Sequence, residues 1–497
     1  MESKIVTNKY TMIKKVFLFN LCCIAASYSG LLHNHFATDS YQNIIVSNAG
    51  WQLNVGRYSI YILEVIFEKL GISLFKYQIF FMFITILFLT GCSCLIFWMT
   101  RDKLDTYKQS FIKNIAVLLC VINVFSIELY LFPEYVIYNG LGITFGVLAA
   151  FIIHEKISIK RVLFSALCLL ISLGFYQANI GVFLIVSLGS AWVQKKVLIN
   201  NKIAIFIGLI VSLINIFIKK ILVKIGLAEV ISRDSQFNIH TLINNLKVII
   251  NGQGQGQKDI IFNGANLLPK GVLLVVLISL VLIIMVNMIL NHNQIKFIIH
   301  TVLLLILGYI VVYAPHLIAG SVWLSPRTIY TLFFYLGFLG IMAIQVSPCE
   351  KHFIINLVGG ILIIFFAINF WSMQGIVVNH FATNKIDQNY AHDIYKEIEK
   401  YENDTGNAIS NIATVTDDIP LYKNHYVDYY SFNINERAFI NDWSDVSVIC
   451  WVSGRIFNKV PMDEKIYVKY FKNKDWDYYS PEEQLYFQGD TLYWCKY

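Results

Sequence analysis

Asp39 stands where a side chain could do chemistry. It lies in His33-Asn34-His35-Phe36-Ala37-Thr38-Asp39-Ser40, the stretch in which the first long apolar run meets polar sequence. An ionised carboxylate at the mouth of a membrane span is costly unless water or a working site surrounds it. The position therefore favours a functional cavity, and the alternative is a solvated acid at a helix end.

Two arginines in other loops have the chemistry of a phosphate clamp. Arg57 follows Gly56 and is the only Lys or Arg in residues 16–68, and Arg327 lies in Trp323-Leu324-Ser325-Pro326-Arg327-Thr328. A guanidinium fork matches phosphate oxygens in pairs. The alternatives are that Arg57 pairs with Glu64 or anchors at the interface, and that Arg327 extends its charge to the membrane surface.

Further polar groups stand beside apolar runs. Gln177 could hydrogen-bond a sugar, or it could satisfy backbone groups of the turn in which it lies. For Glu134 and His316, structural roles are favoured over substrate binding. His33 and His35 do not have the i, i+4 spacing of helical zinc ligands, so no metal site is predicted there. We find no GxSxG elbow, P-loop or CxxC pair. Any chemistry is therefore expected at a membrane face.

The elements that must position these groups are membrane helices. The chain of 497 residues is 57% hydrophobic and 14% charged, with a mean hydropathy of +0.59, beyond the soluble average. A span needs about 20 apolar residues, which predicts a polytopic α-helical membrane protein with about eleven spans. They lie near 16–35, 76–99, 112–131, 137–153, 162–178, 180–194, 203–219, 270–290, 298–316, 328–346 and 354–373.

Charge divides the chain and orients it. Residues 1–374 hold 27 Lys and Arg against 13 Asp and Glu, whereas residues 375–497 hold 12 against 19. Basic residues concentrate in alternate short loops, which predicts a cytoplasmic N-terminus and a periplasmic C-terminal domain. Residues 1–374 form the predicted multi-span domain, with outer loops 36–75 and 220–269. The latter is predicted to contain an amphipathic or re-entrant helix over 221–250.

The acidic tail, 375–497, is predicted to be a compact α/β or α+β domain. We expect a helix over 384–401 and strands over 408–415 and 446–451. Cys450 and Cys495 are the two cysteines of this tail, and a bridge between them is left open.

The residues above also carry a family resemblance. With Asp39 after the first span, Asn54-Val55-Gly56-Arg57 downstream, Tyr176-Gln177-Ala178 at a span boundary and Ser325-Pro326-Arg327 before another, the chain resembles the Gtr type II-like serotype-converting O-antigen glucosyltransferases, which are similar to the wider GT-C class. The resemblance covers the span layout across most of the chain.

This resemblance implies an inverting glycosyltransferase of the bacterial inner membrane. It implies that glucose moves from polyprenyl (undecaprenyl) phosphate to O-antigen or another surface polysaccharide at the outer face, with Asp39 as general base. Arg57 and Arg327 would stabilise the departing phosphate, and the candidate substrate-binding residues are these two with Gln177, Glu134, His316 and Trp51.

The chain departs from the family pattern beside Asp39. An acidic pair is often seen in this loop, but Ser40 follows Asp39 here. Glu134 can supply the second carboxylate only if the fold brings it near. No cofactor is expected, and the metal requirement stays open. The alternatives are a transporter or flippase, or a polymerase, of lipid-linked saccharides.

Overall fold

The computed structural model is mostly helical. It describes residues 2–45, 49–102, 105–155, 157–194, 197–235, 238–291, 294–347, 352–416, 434–474, 476 and 479–496. The α-helices in chain order are α1 (Glu2–Tyr28), α2 (Thr38–Ile45), α3 (Ala49–Asn54), α4 (Tyr58–Lys69), α5 (Gln78–Thr100), α6 (Tyr107–Val121), α7 (Ile127–Tyr130), α8 (Val136–Glu155), α9 (Ile159–Phe175), α10 (Asn179–Val193), α11 (Val197–Lys224), α12 (Ile239–Asn251), α13 (Val272–Leu290), α14 (Ile295–Val312), α15 (Ala314–Leu317), α16 (Thr331–Val346), α17 (His352–Thr405), α18 (Asp445–Ser453), α19 (Glu464–Ile466) and α20 (Pro481–Gln484).

Several of these helices could cross a membrane. Six helical stretches in the described chain are long and apolar enough to do so. They are Gln78–Thr100, Pro133–His154, Asn201–Lys224, Val272–Leu290, Ile295–Val312 and His352–Thr405. The shorter apolar helices α10 and α16 also coincide with predicted spans. A mostly helical fold with several apolar helices that could span a membrane is therefore confirmed, and the count of eleven stays a prediction.

The predicted span over 112–131 is interrupted. Helix α6 ends at Val121, and Asn123 then turns the chain with its own amide. Its Oδ1 accepts from the backbone N–H of Ser126 at 2.7 Å, and its Nδ2 donates to the carbonyl of Cys120 at 3.1 Å. Such local bonds compete with the helical ladder, so the apolar run breaks and continues as the short helix α7.

The chain divides into two compact units. Unit 1 comprises residues 1–32, 49–130 and 135–374, and unit 2 comprises residues 33–48, 131–134 and 375–497. The predicted ranges 1–374 and 375–497 differ from this grouping in two short segments. One of them carries Asp39 and the other carries Glu134.

Helix α16 lies in the core of unit 1. Residues from Thr331 to Ile344 are all buried, and the helix is apolar on every side. Both features are expected for a helix that is surrounded by protein. It packs against α6 with Gly337 at the contact. A Cβ at Gly337 would lie 2.5 Å from the backbone carbonyl oxygen of Ala116. Glycine therefore sets how closely these two helices approach.

Unit 2 is built on a four-stranded sheet. The strands are β1 (Asn411–Thr416), β2 (Asn458–Val460), β3 (Leu485–Gln488) and β4 (Thr491–Lys496). Their order is β2-β1-β4-β3, with β1 parallel to both neighbours and β3 antiparallel to β4. The sheet and the helices α18 to α20 belong to the same unit.

The strand predicted over 446–451 is wrong, because these residues lie in α18. Asp445 stands at the start of that helix, and its Oδ1 accepts from the backbone N–H of Val446 at 2.7 Å. Gly454 ends the helix with φ of +69°, a conformation that glycine adopts without strain. Cys450, within the helix, and Cys495, on β4, are both buried, and no disulfide joins them.

Candidate functional site

Arg57 is held by a tight turn in unit 1. The turn needs Gly56, whose φ is +72°, in the left-handed region. Gln177 fixes it by donating from Nε2 to the carbonyls of Val55 at 2.8 Å and Gly56 at 3.3 Å. Arg57 then projects its guanidinium over the ring of Tyr176, 4.9 Å from the ring centroid. Gln177 therefore supports the turn that carries Arg57.

Arg327 is held by a buried carboxylate of the same unit. Glu128 accepts from the hydroxyl of Ser325 at 2.6 Å and from the backbone N–H of Arg327 at 3.2 Å. Its other oxygen lies 3.3 Å from Nη1 of Arg327. The carboxylate therefore fixes both the backbone and the side chain of this arginine.

A third arginine, Arg233, joins the group through Trp323. The guanidinium carbon of Arg233 lies 4.7 Å from the indole centroid of Trp323, and that of Arg327 lies 4.9 Å from the same ring. Two cations thus share one aromatic partner.

The backbone around Arg233 is tied to the loop that precedes Arg57. Nζ of Lys219 donates to the carbonyls of Asn54 and Glu229, both at 2.6 Å, and lies 3.8 Å from the carboxylate of Asp234. The side-chain oxygen of Asn54 accepts from the backbone N–H of Glu229 at 2.8 Å. Lys219, near the end of α11, therefore binds both the segment that carries Arg57 and the segment that carries Arg233.

We call Arg57, Arg233, Arg327, Glu128, Tyr176 and Trp323 the arginine centre. Burial lowers the pKa of Arg57, and the positive charges of Arg327 and Arg233 lower it further. Nε of Arg57 is buried and has no hydrogen-bond partner among the described residues. Within this named set of described residues, three guanidinium groups against one carboxylate leave an excess of positive charge, which an anion would neutralise.

Asp39 belongs to a second group of residues, in unit 2. It lies in the first turn of α2, where a carboxylate is favoured by the helix dipole. Nε1 of Trp443 donates to its Oδ1 at 2.9 Å. A residue of the C-terminal tail therefore holds the carboxylate predicted as the base.

Glu134 lies beside Ser40 in the same unit. Its Oε2 accepts from the hydroxyl of Ser40 at 2.8 Å, and its Oε1 accepts from Nδ2 of Asn43 at 2.9 Å. The carboxylate is almost entirely buried and interacts electrostatically with Asp39. The fold thus places a second carboxylate next to Asp39, and the serine that replaces the acidic neighbour donates to it.

Glu436 is a third acid of this group. Burial raises its pKa, and the charge of Asp39 raises it further. Nδ2 of Asn441 donates to its Oε2 at 3.2 Å. We call Asp39, Ser40, Glu134, Trp443 and Glu436 the Asp39 centre.

The remaining predicted residues lie in unit 1. His316 is buried in α15, and burial lowers its pKa to about 4, so its imidazole is neutral at pH 7. Its Nε2 is buried, and no hydrogen-bond partner for it lies in the part of the chain that the structure describes. Trp51 lies on α3 with 47% of its surface exposed. The substrate-binding roles of both residues stay predictions.

Sequence reasoning names Trp443 among the tail aromatics that could stack on sugar rings or pack in a core, but it missed Arg233, Glu436 and the pairing of Trp443 with Asp39. Arg233 lies in the long segment 220–269, which is not one of the short loops whose basic residues predict the orientation. A basic residue in a predicted outer segment is a signal that could have marked it. Trp443 and Glu436 have no such signal, because they lie about 400 residues from Asp39 in the chain.

A family model described as Glucosyl transferase GtrII matches residues 28–344. The match spans more than half of the chain and includes every predicted site residue. No curated protein and no solved structure matches the chain significantly. The chain therefore belongs to the GtrII glucosyl transferase family, and its activity is glycosyl transfer from a sugar donor to a glycan acceptor.

Proposed function

We propose that the protein transfers glucose from a polyprenyl phosphate donor, such as undecaprenyl phosphate glucose, to O-antigen or another surface polysaccharide. Transfer takes place at the outer face of the bacterial inner membrane. The observation that supports the donor class is the arginine centre of unit 1. Its guanidinium groups, held by aromatic rings and one buried carboxylate, have the chemistry of a phosphate site.

The charge of the arginine centre suits the product better than the substrate. A polyprenyl phosphate sugar is a phosphodiester with one negative charge, whereas the released monoester carries about −1.5 to −2 at pH 7. Arg57, Arg233 and Arg327 against Glu128 give a formal charge of +2. Interactions that strengthen as the leaving group gains charge lower the barrier of the transfer step.

Asp39 is the proposed base. It takes the proton of an acceptor hydroxyl as the hydroxyl oxygen attacks the anomeric carbon. The bond from that carbon to the phosphate oxygen breaks, and the phosphate leaves with the bonding electrons. A single displacement of this kind inverts the anomeric configuration. Glu134, held beside Ser40, is the second carboxylate of the centre.

The proposed location also rests on the orientation of the chain. Several apolar helices support membrane association, and the loop charges favour a cytoplasmic N-terminus and a periplasmic C-terminal domain. A topology reporter fused after Tyr497 is expected to be active only in the periplasm. Activity in the cytoplasm would contradict the assignment of the outer face.

The central experiment supplies purified protein in lipid vesicles with undecaprenyl phosphate glucose, labelled in the sugar, and O-antigen polysaccharide. We expect labelled polysaccharide, and we expect Asp39→Asn to lose nearly all transfer. Full transfer by that variant would contradict the role of the base. No transfer by the wild type with any polyprenyl phosphate sugar would favour a transporter of lipid-linked saccharides.

The arginine centre is tested through donor use. Arg57→Gln, Arg233→Gln and Arg327→Gln are each expected to raise the KM for the donor, and to lower kcat, with little change in the KM for the acceptor. Arg101→Gln is the matched control, because Arg101 lies at the end of α5, outside the arginine centre. Unchanged donor kinetics in all three variants would contradict the phosphate site.

A further inference from the structure

Trp443 is unusual because it is both exposed and tied to a predicted catalytic group. About half of its surface, 49%, is open to solvent, while its Nε1 donates to Asp39 at 2.9 Å. The N–H edge of the indole is therefore occupied, and much of the ring stays open beside the carboxylate. An open aromatic face suits the apolar C–H face of a sugar ring.

The turn that carries Trp443 is fixed to the sheet of unit 2 on both sides. Asp445, two residues after Trp443, is fully buried between Lys459 and Lys496. Nζ of each lysine lies 2.8 Å from a carboxylate oxygen of Asp445. The preceding residue, Asp442, is bound by Lys496 at 3.0 Å. Asp445 and Lys496 are both buried and paired, and such a pair holds one geometry, so the indole is presented by a rigid turn.

The acidic side chains of the Asp39 centre also affect which sugars, neutral or negatively charged, can bind beside the indole. Glu134 and Glu436 both interact electrostatically with Asp39, and Ser40, the residue after Asp39, donates to Glu134 at 2.8 Å. Carboxylates accept hydrogen bonds from sugar hydroxyls, but they repel a sugar that carries its own carboxylate. A neutral sugar therefore fits the centre, and a uronic acid does not.

We propose that Trp443 positions the acceptor: its indole stacks on a neutral sugar of the polysaccharide and presents one hydroxyl of that sugar to Asp39. This inference rests on the proposed function, in which Asp39 is the base. Trp443 lies outside the residues that match the family model. The acceptor subsite is thus supplied by the C-terminal part of this chain.

Substitution of Trp443 separates stacking from hydrogen bonding. Trp443→Ala removes both, and we expect the KM for a neutral polysaccharide acceptor to rise about tenfold, with the KM for undecaprenyl phosphate glucose unchanged. Trp443→Phe keeps an aromatic face without the N–H, so we expect an acceptor KM near that of the wild type and a lower kcat. Trp371→Ala, at a tryptophan of α17 that is 80% exposed, is the matched control.

The charge selection is tested with one polysaccharide in two forms. The neutral form is compared with the same polymer after oxidation of its primary hydroxyls to carboxylates. We expect the wild type to use the neutral form at least tenfold better, and Glu436→Gln to narrow that ratio. Equal use of both forms would overturn the assignment of a neutral acceptor.

The outcomes distinguish this inference from the proposed function. If Asp39→Asn abolishes transfer while both Trp443 variants keep the wild-type acceptor KM, the role of Trp443 is overturned and the proposed base stands. If Asp39→Asn transfers sugar at the wild-type rate, the proposed function itself fails. Equal melting temperatures of the wild type and Trp443→Phe would show that a change in kcat does not reflect unfolding.

Discussion

Substitution Glu128→Gln tests whether the arginine centre depends on its single buried carboxylate. The change keeps the shape of the side chain but removes the negative charge. Glu128 accepts from Ser325 and from the backbone of Arg327, and it lies 3.3 Å from the guanidinium of Arg327. All three contacts weaken when the acceptor is neutral, since hydrogen bonds to charged groups are the stronger ones.

The size of the effect follows from the geometry. At 3.3 Å, two unit charges in a medium of effective dielectric constant 20 attract by about 5 kcal/mol. Desolvation offsets part of this attraction, and loss of one partner of a buried pair costs about 3–5 kcal/mol. The side chain of Glu128 is 2% exposed and that of Arg327 21%, so we expect Glu128→Gln to lower the free energy of unfolding by about 3 kcal/mol.

The assay combines stability with kinetics. Apparent melting temperature in detergent is measured with the KM for undecaprenyl phosphate glucose, and a double-mutant cycle with Arg327→Gln isolates the pair. We expect a coupling free energy of about 2 kcal/mol, within the usual range for residues in contact. Glu68→Gln, at an exposed glutamate of α4, is the control. Strictly additive effects of the two substitutions would refute the reasoning.

Three further predictions concern folding. Gly337→Ala should destabilise unit 1 by about 1–3 kcal/mol, because its Cβ would lie 2.5 Å from a backbone oxygen of α6; an unchanged melting temperature would contradict this close approach. Because folding lowers the pKa of His316 from 6.5 to about 4, the unfolded chain binds the proton first, and stability falls as the pH falls from 6.5 to 4. His316→Gln should remove about 3 kcal/mol of that acid-induced loss, which melting temperatures between pH 4 and pH 7.5 would measure. Asp445→Asn should cost about 3–5 kcal/mol, because Lys496 is then left buried without its full partner, whereas Asp393→Asn, in an exposed pair, should cost less than about 1 kcal/mol.

Apolar runs predict most of the helices because burial in lipid or in protein imposes the same pattern. Their ends are less predictable, as the run over 112–131 illustrates. The amide of Asn123 closes a turn there and ends the helix that hydrophobicity alone would continue. The residues of 446–451 favour a strand locally, yet they form α18. Tertiary contacts override the propensity, as is common for β-branched and aromatic segments.

The arginine centre was predictable in part. Arg57 and Arg327 are rare charges beside apolar runs, and their chemistry can be read from the sequence. The contacts that hold these arginines cannot be read from the sequence, since Glu128 lies 199 residues away from Arg327 in the chain. The contact between Trp443 and Asp39 joins residues 404 positions apart. No local pattern encodes such a pairing, because it arises only when the fold brings distant segments together.

The hydrogen bond from Ser40 to Glu134 links two positions that we expect to change together. A carboxylate at position 40 would face the buried carboxylate of Glu134 at the distance of the present 2.8 Å bond, and like charges that close are strongly unfavourable. Family members with an acid directly after the residue equivalent to Asp39 are therefore expected to carry a neutral or basic residue where this chain has Glu134. The second carboxylate of the acidic pair can then come from position 134 instead of position 40. A comparison of aligned sequences at position 40 alone would miss it.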